Sequence, residues 1–305
     1  MTGNAYLPGM RIGILSRGPR LYSTQSLWKA AQRRGHEVHV YDHTQCHLVL
    51  RDDKPNVYHY EHSLHHLDAV IPRIGASVTA VGAAVINQFE VMGVLTTTSS
   101  DALLRARDKW RCLQQLAQHK IPIPRTVLLG SRPNFYQQVH RMGGLPVVIK
   151  LLESTHGDGV ILAEYFAALQ STVEALHEVG ERVLLQEFVE EARGSDIRAL
   201  VVDGDIVAVM RRTAPPGEFR SNLHRGAVGE CIELDAAAQE LVKSVVDIMD
   251  LRVAGVDLLP SDRGYLVMEV NASPGLEGIE RVTGVDVAGK IIEMVERMEL
   301  AGKKR

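Results

Sequence analysis

Apolar positions fall into two textures along this chain. Up to about residue 100, short apolar runs alternate with helical stretches: MRIGILS, LYSTQSLWKAAQRRG closed by Gly35, HEVHVYD, DAVIPRIG and VTAVGAAVINQFEVMG. Strand and helix alternating in this way predict a parallel sheet with helices on both faces, a Rossmann-like domain over residues 10–100. The leader MTGNAYLPG carries no periodicity and reads as a disordered segment of residues 1–9 before a folded chain beginning near Met10. From Asp101 the texture changes. DALLRARDKWRCLQQLAQHK reads as one long amphipathic helix, stopped by IPIP at Ile121–Pro124. TVLL, a helix around Asn134–Met142, PVVIK, a glycine-containing loop, VILA and a helix over Tyr165–His177 make a compact central unit, residues 101–185. The remainder, 186–305, is mainly antiparallel, with a turn at Asp203–Gly204–Asp205, a helix over Ala236–Met249 and terminal helices from Gly278. The predicted class is α/β, passing to α+β in the C-terminal half.

One stretch concentrates oxygen donors. VAGVDLLPSDRGYLVMEVNASPG reads as a hairpin, with Pro260, Asp262 and Gly264 supplying the turn. With Pro260–Gly264 as the loop, Asp257 faces Val267 and lies diagonal to Glu269, roughly 7–8 Å away between backbones. Side chains alternate along a strand, so Asp257, Glu269 and Asn271 share one face. Two carboxylates and an amide carbonyl form an incomplete all-oxygen shell of the kind Mg²⁺ takes when phosphates complete it. A surface hairpin with acids on its wet face has the same pattern. The position of Glu269 inside LVMEVN, and the rigid NASPG exit, favour a site.

Composition narrows the classes. The 305 residues are 45% hydrophobic and 23% charged, ordinary for a soluble globular protein, and a net charge of −3 leaves no overall nucleic-acid footprint. Cys46, Cys112 and Cys231 lie far apart without metal spacing, which fits a reducing cytoplasm, and no apolar run is long enough to span a membrane. His59, His62, His65 and His66 cluster without an H-E-x-x-H pattern and read as loop and surface residues. No G-x-S-x-G and no Walker A loop exist, and SRGPR at Ser16–Arg20 replaces the dinucleotide fingerprint G-x-G-x-x-G.

Other segments supply cations and backbone edges. Lys150 ends the apolar strand PVVIK, ahead of a loop with Gly157 and Gly159 whose amides can cover phosphates beside a point charge. A plain hairpin with a snorkelling lysine is the competing account, and Lys109 on its amphipathic helix has the same ambiguity. Gln186–Val189 offers a strand edge for a base, with Asp196 placed to accept from ribose hydroxyls. RRTAPPGEFRSNLHRGAVGE gathers Arg211, Arg212, Arg220, His224 and Arg225 as an anion clamp, with Arg220 and Asn222 as donors. Arg73 in PRIG and Arg212 are further candidates for carboxylate contacts.

In chain order these residues resemble the ATP-grasp ligases, and among them the RimK-type glutamate ligases. The match runs through MRIGILSRG, PRIG, RARDKW, VVIKL, QEFVEEARGSDIR, FRSNLHRGA, VAGVDLL, MEVNASPGLEGIE and TGVDVAGKII, from Met10 to about Arg297. The resemblance implies an ATP-grasp fold with an N-terminal pre-ATP-grasp domain. It also implies ATP contacts from Lys109, Lys150, Gly157 and Gly159, adenine flanked by Glu187 and Phe188, and Asp196 on the ribose or substrate side. Arg220, Ser221 and Asn222 would complete the nucleotide and acyl-phosphate site, with Arg220 and Asn222 catalytic. Asp257, Glu269 and Asn271 would bind two Mg²⁺ or Mn²⁺ ions. The implied activity is ADP-forming addition of L-glutamate to the C-terminal tail of small-subunit ribosomal protein S-six, in the cytoplasm, by a homo-oligomer that is a tetramer in the resemblance. His156 and Asp158 make the glycine loop bulkier and more acidic than the family pattern. Ligation of another amino acid, free poly-α-glutamate synthesis and non-catalytic ATP binding at the ribosome are the alternatives. The metal-ligand set argues against the last.

Overall fold

Parallel pairing of the strand Arg11–Leu15 with Glu37–Tyr41 on one side and Ala69–Pro72 on the other builds the N-terminal sheet, which Leu95–Thr96 completes at the far edge. The structure is a computed structural model and describes residues 9–302 except 53, 132 and 153–158; most of the expected leader therefore lies outside the described residues. From Arg11–Leu15 the chain steps first to one neighbour and later to the other. The C-terminal ends of Arg11–Leu15 and Ala69–Pro72, at residues 16–18 and 73–75, thus form a topological switch point, where open α/β sheets bind ligands. Helices Tyr22–Arg33 and Thr79–Val91 cover the sheet, as their apolar periodicity predicts.

A small antiparallel sheet of Cys46–Arg51, Lys54–His59 and His62–Ser63 was not legible in the histidine-rich segment. His59 and His62 are strand residues rather than loop residues, and the His59 ring packs between Tyr41 and Tyr60. Among the described residues no group of three or more His, Cys, Asp or Glu could hold a metal.

The central sheet runs Val160–Ala163, Val147–Leu151, Val183–Glu187, Thr126–Leu128, all antiparallel. Helices Phe135–Met142 and Phe166–Glu178 close over it around its own core of Val147, Ile149, Leu169, Val173, Val183 and Leu185. The C-terminal sheet, Val228–Cys231, Asp205–Thr213, Ser195–Val202, Val253–Ser261 and Gly264–Asn271, has no separate core. One face packs Ala199, Val201 and Val256 with helix Ala236–Met249 and with N-terminal residues such as Val70 and Phe89. The other packs Leu200 and Val202 with helix Val287–Gly302 and with Ile12, Ile14 and Leu27. The N-terminal and C-terminal sheets are therefore welded through shared apolar clusters.

Two local departures position the site. The predicted long helix is two, Ser100–Arg107 and Lys109–Gln118. Asp108 leaves helical geometry (φ −79°, ψ 102°), and its carboxylate accepts from the Arg111 amide at 3.0 Å as an N-cap. The second departure is in the oxygen-donor hairpin. Its turn is tighter than expected, with Ser261 opposite Gly264 and Pro260 opposite Tyr265, and a one-residue β-bulge lies beyond Leu258. Asp257 consequently faces Glu269 directly, neither Val267 nor a diagonal partner, while Gly255 faces Asn271.

Candidate active site

Period-two alternation puts Asp196 and Arg198 on the same sheet face as Leu200 and Val202, apolar at one end and charged at the other. Register extends the charged end across the sheet: Arg212 opposes Asp196, Arg198 opposes Asp257, and Asp257 opposes Glu269. Arg198 grips Asp257 with two hydrogen bonds, Nε to Oδ1 at 2.7 Å and Nη2 to Oδ2 at 2.5 Å. Arg212 grips Asp196 in the same fork, at 2.6 and 2.5 Å, and reaches Asp257 Oδ2 at 3.2 Å. Burial alone would raise the Asp257 pKa, but the two guanidiniums outweigh it and hold the carboxyl below its usual range. The same two carboxylates raise the Arg212 pKa.

Glu269 differs. It is half-buried at the cleft and makes no hydrogen bond or ion pair among the described residues. Asn271 Nδ2 is a buried polar atom without a partner there. Gly255, opposite Asn271, makes room for the NASPG exit, since a Cβ there would meet Pro274 Cβ at 3.0 Å. A carboxylate and an amide with spare coordination, beside a second carboxylate, fit a hard divalent cation; Asp257 would have to share its oxygens with Arg198 and Arg212.

The opposite wall comes from the central sheet. Lys150 donates to Gln186 Oε1 at 2.6 Å, and Gln186 in turn donates to Thr126 Oγ1 at 2.9 Å. Burial lowers the Lys150 pKa to about 8 against the pull of Glu269. The helix break at Asp108 delivers Lys109 to the same cleft, where its Nζ donates to the carbonyls of Leu151 (2.9 Å) and Leu152 (3.3 Å). Burial lowers this pKa as well. Lys109 is therefore not the solvated helix lysine that amphipathicity alone suggests.

One cleft of about 1480 Å³, its open mouth included, brings Lys109, Lys150, Glu187, Phe188, Asp196, Arg220, Ser221, Asn222, Asp257, Glu269 and Asn271 together. Gly159 precedes strand Val160–Ala163 with φ +69°, and its carbonyl accepts from the Leu151 amide at 3.0 Å; Gly157 lies outside the described residues. The side chain of Glu187 is turned away to Arg263 (2.5 Å) and to the Arg125 amide (2.8 Å), leaving backbone and Phe188 at the cavity. Both oxygens of Asp196 are engaged by Arg212.

The cationic clamp does not form as predicted. Arg211 pairs with Glu230, Arg212 with Asp196, and Arg220 with Glu218 at 2.7 Å, holding that carboxyl down to about 2. Charge in this segment is locally balanced, and Arg212 is a buried strut rather than a substrate contact. Two site residues escape a reading by motif, Arg198 and Arg107. Arg198 had a signal, since it lies two residues after Asp196 and so on the same face.

Models of protein families match nearly the whole chain: the RimK PreATP-grasp domain over residues 10–103 and the RimK-like ATP-grasp domain over 106–295. A relative from Teredinibacter turnerae, named "Probable alpha-L-glutamate ligase", is 49% identical over 288 residues, 94% of this chain and 96% of its own. One of the same name from Picosynechococcus sp. is 48% identical over 294 residues, 96% and 98%. Among solved structures, the ATP-grasp ligase PsnB with its minimal precursor superposes with a TM-score of 0.75 at 21% identity, covering 95% of this chain and 99% of that one, a likeness of fold. A switch-point sheet, a self-contained central sheet and a buried carboxylate row thus occur here in a chain whose family models cover both halves, and the protein belongs to the RimK-like ATP-grasp ligases.

Proposed function

We propose that this enzyme joins the amine of L-glutamate to the C-terminal carboxylate of ribosomal protein S-six through an acyl phosphate, releasing ADP and phosphate. The observation that carries the reading is the cleft itself. Two half-buried lysines, Lys150 from the central sheet and Lys109 from the start of its helix, share the cleft with a row of oxygen donors on the C-terminal sheet, an arrangement for polyphosphate between ammonium groups and hard cations. Relatives at 48–49% identity bear the name of alpha-L-glutamate ligase, which supports glutamate as the amine.

Hydroxide leaves a carboxylate too poorly for direct condensation with an amine. The acceptor carboxylate oxygen takes the γ-phosphoryl group as the bond to the β-bridging oxygen breaks, giving acyl phosphate and ADP. The glutamate amine then attacks the carbonyl carbon, the C–N bond forms, phosphate leaves with the former carboxylate oxygen, and the amine proton passes to solvent. Lys109 and Lys150 hold the phosphates, with Gly157 and Gly159 covering them; Glu187 and Phe188 frame the adenine through backbone and ring. Asp196 braces Arg212 at the ribose side. Arg220, with Ser221 and Asn222, faces the reacting carbonyl and stabilises its oxyanion, exchanging Glu218 for that charge. Asp257, Glu269 and Asn271 would hold two Mg²⁺ or Mn²⁺ ions, which neutralise charge on the β- and γ-oxygens when bound.

Intact-mass spectrometry of candidate acceptors incubated with enzyme, ATP, Mg²⁺ and glutamate tests this. The expected result is mass added in glutamate residues to the S-six C-terminus with ADP as stoichiometric product. Stoichiometric AMP refutes the phosphoryl route, and glutamate polymer without modified acceptor refutes the assigned acceptor.

A further inference from the structure

Substrate carboxylates need counter-charge, and the expected clamp has none to spare. The uncompensated guanidiniums lie elsewhere, at the switch point of the N-terminal sheet. Two of them, Arg107 and Arg17, donate into residues 73–77, and the third, Arg73, belongs to that segment. Arg73 donates through Nη2 to the Pro274 carbonyl at 2.7 Å, in the exit of the oxygen-donor strand. Arg107 donates through Nη2 to the Ile74 carbonyl at 2.7 Å and lines the cleft beside Lys109. Arg17, at the end of the first strand, donates to Ser77 Oγ at 3.1 Å.

None of the three forms a salt bridge with a carboxylate among the described residues, although Glu269 attracts Arg107 and Asp42 attracts Arg17 at longer range. Most of the five N–H donors on each guanidinium remain unused. Burial and mutual repulsion lower the Arg73 pKa to about 10, and burial lowers that of Arg107. Buried cations satisfied only by carbonyls are costly to the protein alone, and an anion entering between them relieves that cost. A peptide tail requires an open groove, whereas Arg73 and Arg107 are both half-buried, Arg107 in the lining of the cleft and Arg73 next in sequence to Ile74, whose carbonyl Arg107 holds. A small ligand with two carboxylates suits such a place.

Resting on the ligase reading above, we infer that Arg17, Arg73 and Arg107 form the subsite for the two carboxylates of the incoming acidic amino acid. The guanidinium pair Arg73 and Arg107 fixes selectivity for a dicarboxylate, and Arg17 closes the outer edge.

The test compares wild type with Arg73→Lys, Arg107→Lys and Arg107→Met in steady-state ligation, varying glutamate, ATP and acceptor separately. The KM for glutamate is expected to rise about tenfold or more, the loss of at least one charge-assisted hydrogen bond, with the KM for ATP and for acceptor within about twofold. An unchanged glutamate KM overturns the assignment, as does an equal rise for ATP. A rise for the acceptor alone gives the subsite to the tail and also overturns it. If wild type ligates no glutamate, the ligase reading fails by itself, and the subsite is then read by calorimetry with glutarate as the probe. Wild type should bind glutarate, and Arg107→Met should lose about tenfold or more; equal binding by both refutes the subsite. Melting curves identify any variant that has not folded, and for such a variant the lysine substitution supplies the reading.

Discussion

The wall that carries Lys150 belongs to a sheet with a core of its own, whereas the wall that carries Asp257 shares its apolar clusters with the N-terminal sheet. Polar contacts join the two walls at several points: Lys109 Nζ to the Leu151 and Leu152 carbonyls, and Arg263 to Glu187. Charge is handled differently on each side as well. Burial lowers the pKa of both lysines, that of Lys150 to about 8, while Asp196 and Asp257 are fixed in guanidinium forks. The lysine-bearing sheet is thus held by a core of its own, and the oxygen-donor sheet by cores shared with the N-terminal sheet.

The largest effect that can break this contrast comes from the oxygen-donor row. Asp257→Ala should abolish ligation and also cost about 3–5 kcal/mol of stability, because Arg198 loses its carboxylate partner in a part-buried site and Arg212 keeps only Asp196. Glu269→Ala should lower ligation by about 10²–10³-fold or more with little stability loss, since no protein partner is orphaned. Chemical denaturation of both variants checks the pair, and equal destabilisation would show that Glu269 is structural.

Next in size is the separation of cores. Leu169→Ala should destabilise by about 2–5 kcal/mol, with faster amide exchange confined to residues 126–187. Leu200→Ala should loosen both the N-terminal and C-terminal sheets together. Exchange spread over the whole chain in both variants would mean that the central unit has no independence.

Lys150 gives a pH signature. Its folded pKa of about 8 lies below the unfolded value of 10.5, so the unfolded chain binds more protons between them. Stability from this group therefore rises from about pH 8 to 10.5 and is lost as pH falls through 8. Polyphosphate binding restores the charge, so nucleotide binding near pH 8.5 should take up a fraction of a proton, up to about one. Calorimetry in buffers of different ionisation enthalpy reads this uptake, and Lys150→Met should remove it. The smallest effect is expected where Arg263 reaches Glu187: Arg263→Ala should cost less than about 1 kcal/mol, as its side chain is 46% exposed.

Most of the architecture is readable from periodicity, because core-facing positions repeat along the elements of the three larger sheets. The small sheet around His59 is not, since its strands alternate weakly and carry polar residues on both faces. The single helix predicted over 101–120 fails at Asp108 because capping chemistry, invisible to apolar period, overrides propensity there. Within the site, residue types identified the oxygen donors and Lys150. They did not show how the arginines pair: Arg212 and Arg220 read as spare cations in a cationic segment until Asp196, distant in sequence, and Glu218, close in it, are seen beside them. Which cations remain uncompensated is a property of three-dimensional pairing.

The bulge beyond Leu258 has a consequence for length variation. Counting outward from Ser261 and Gly264, an unbroken ladder would set Asp257 against Met268 and turn Glu269 toward the core; the extra residue reverses that parity. The bulge, and not the turn length, carries this parity: a residue added within the turn leaves Asp257 opposite Glu269, whereas one gained or lost between Gly264 and Glu269 inverts the strand beyond it. Among relatives, length changes in this hairpin should therefore gather in the turn and spare Gly264–Glu269.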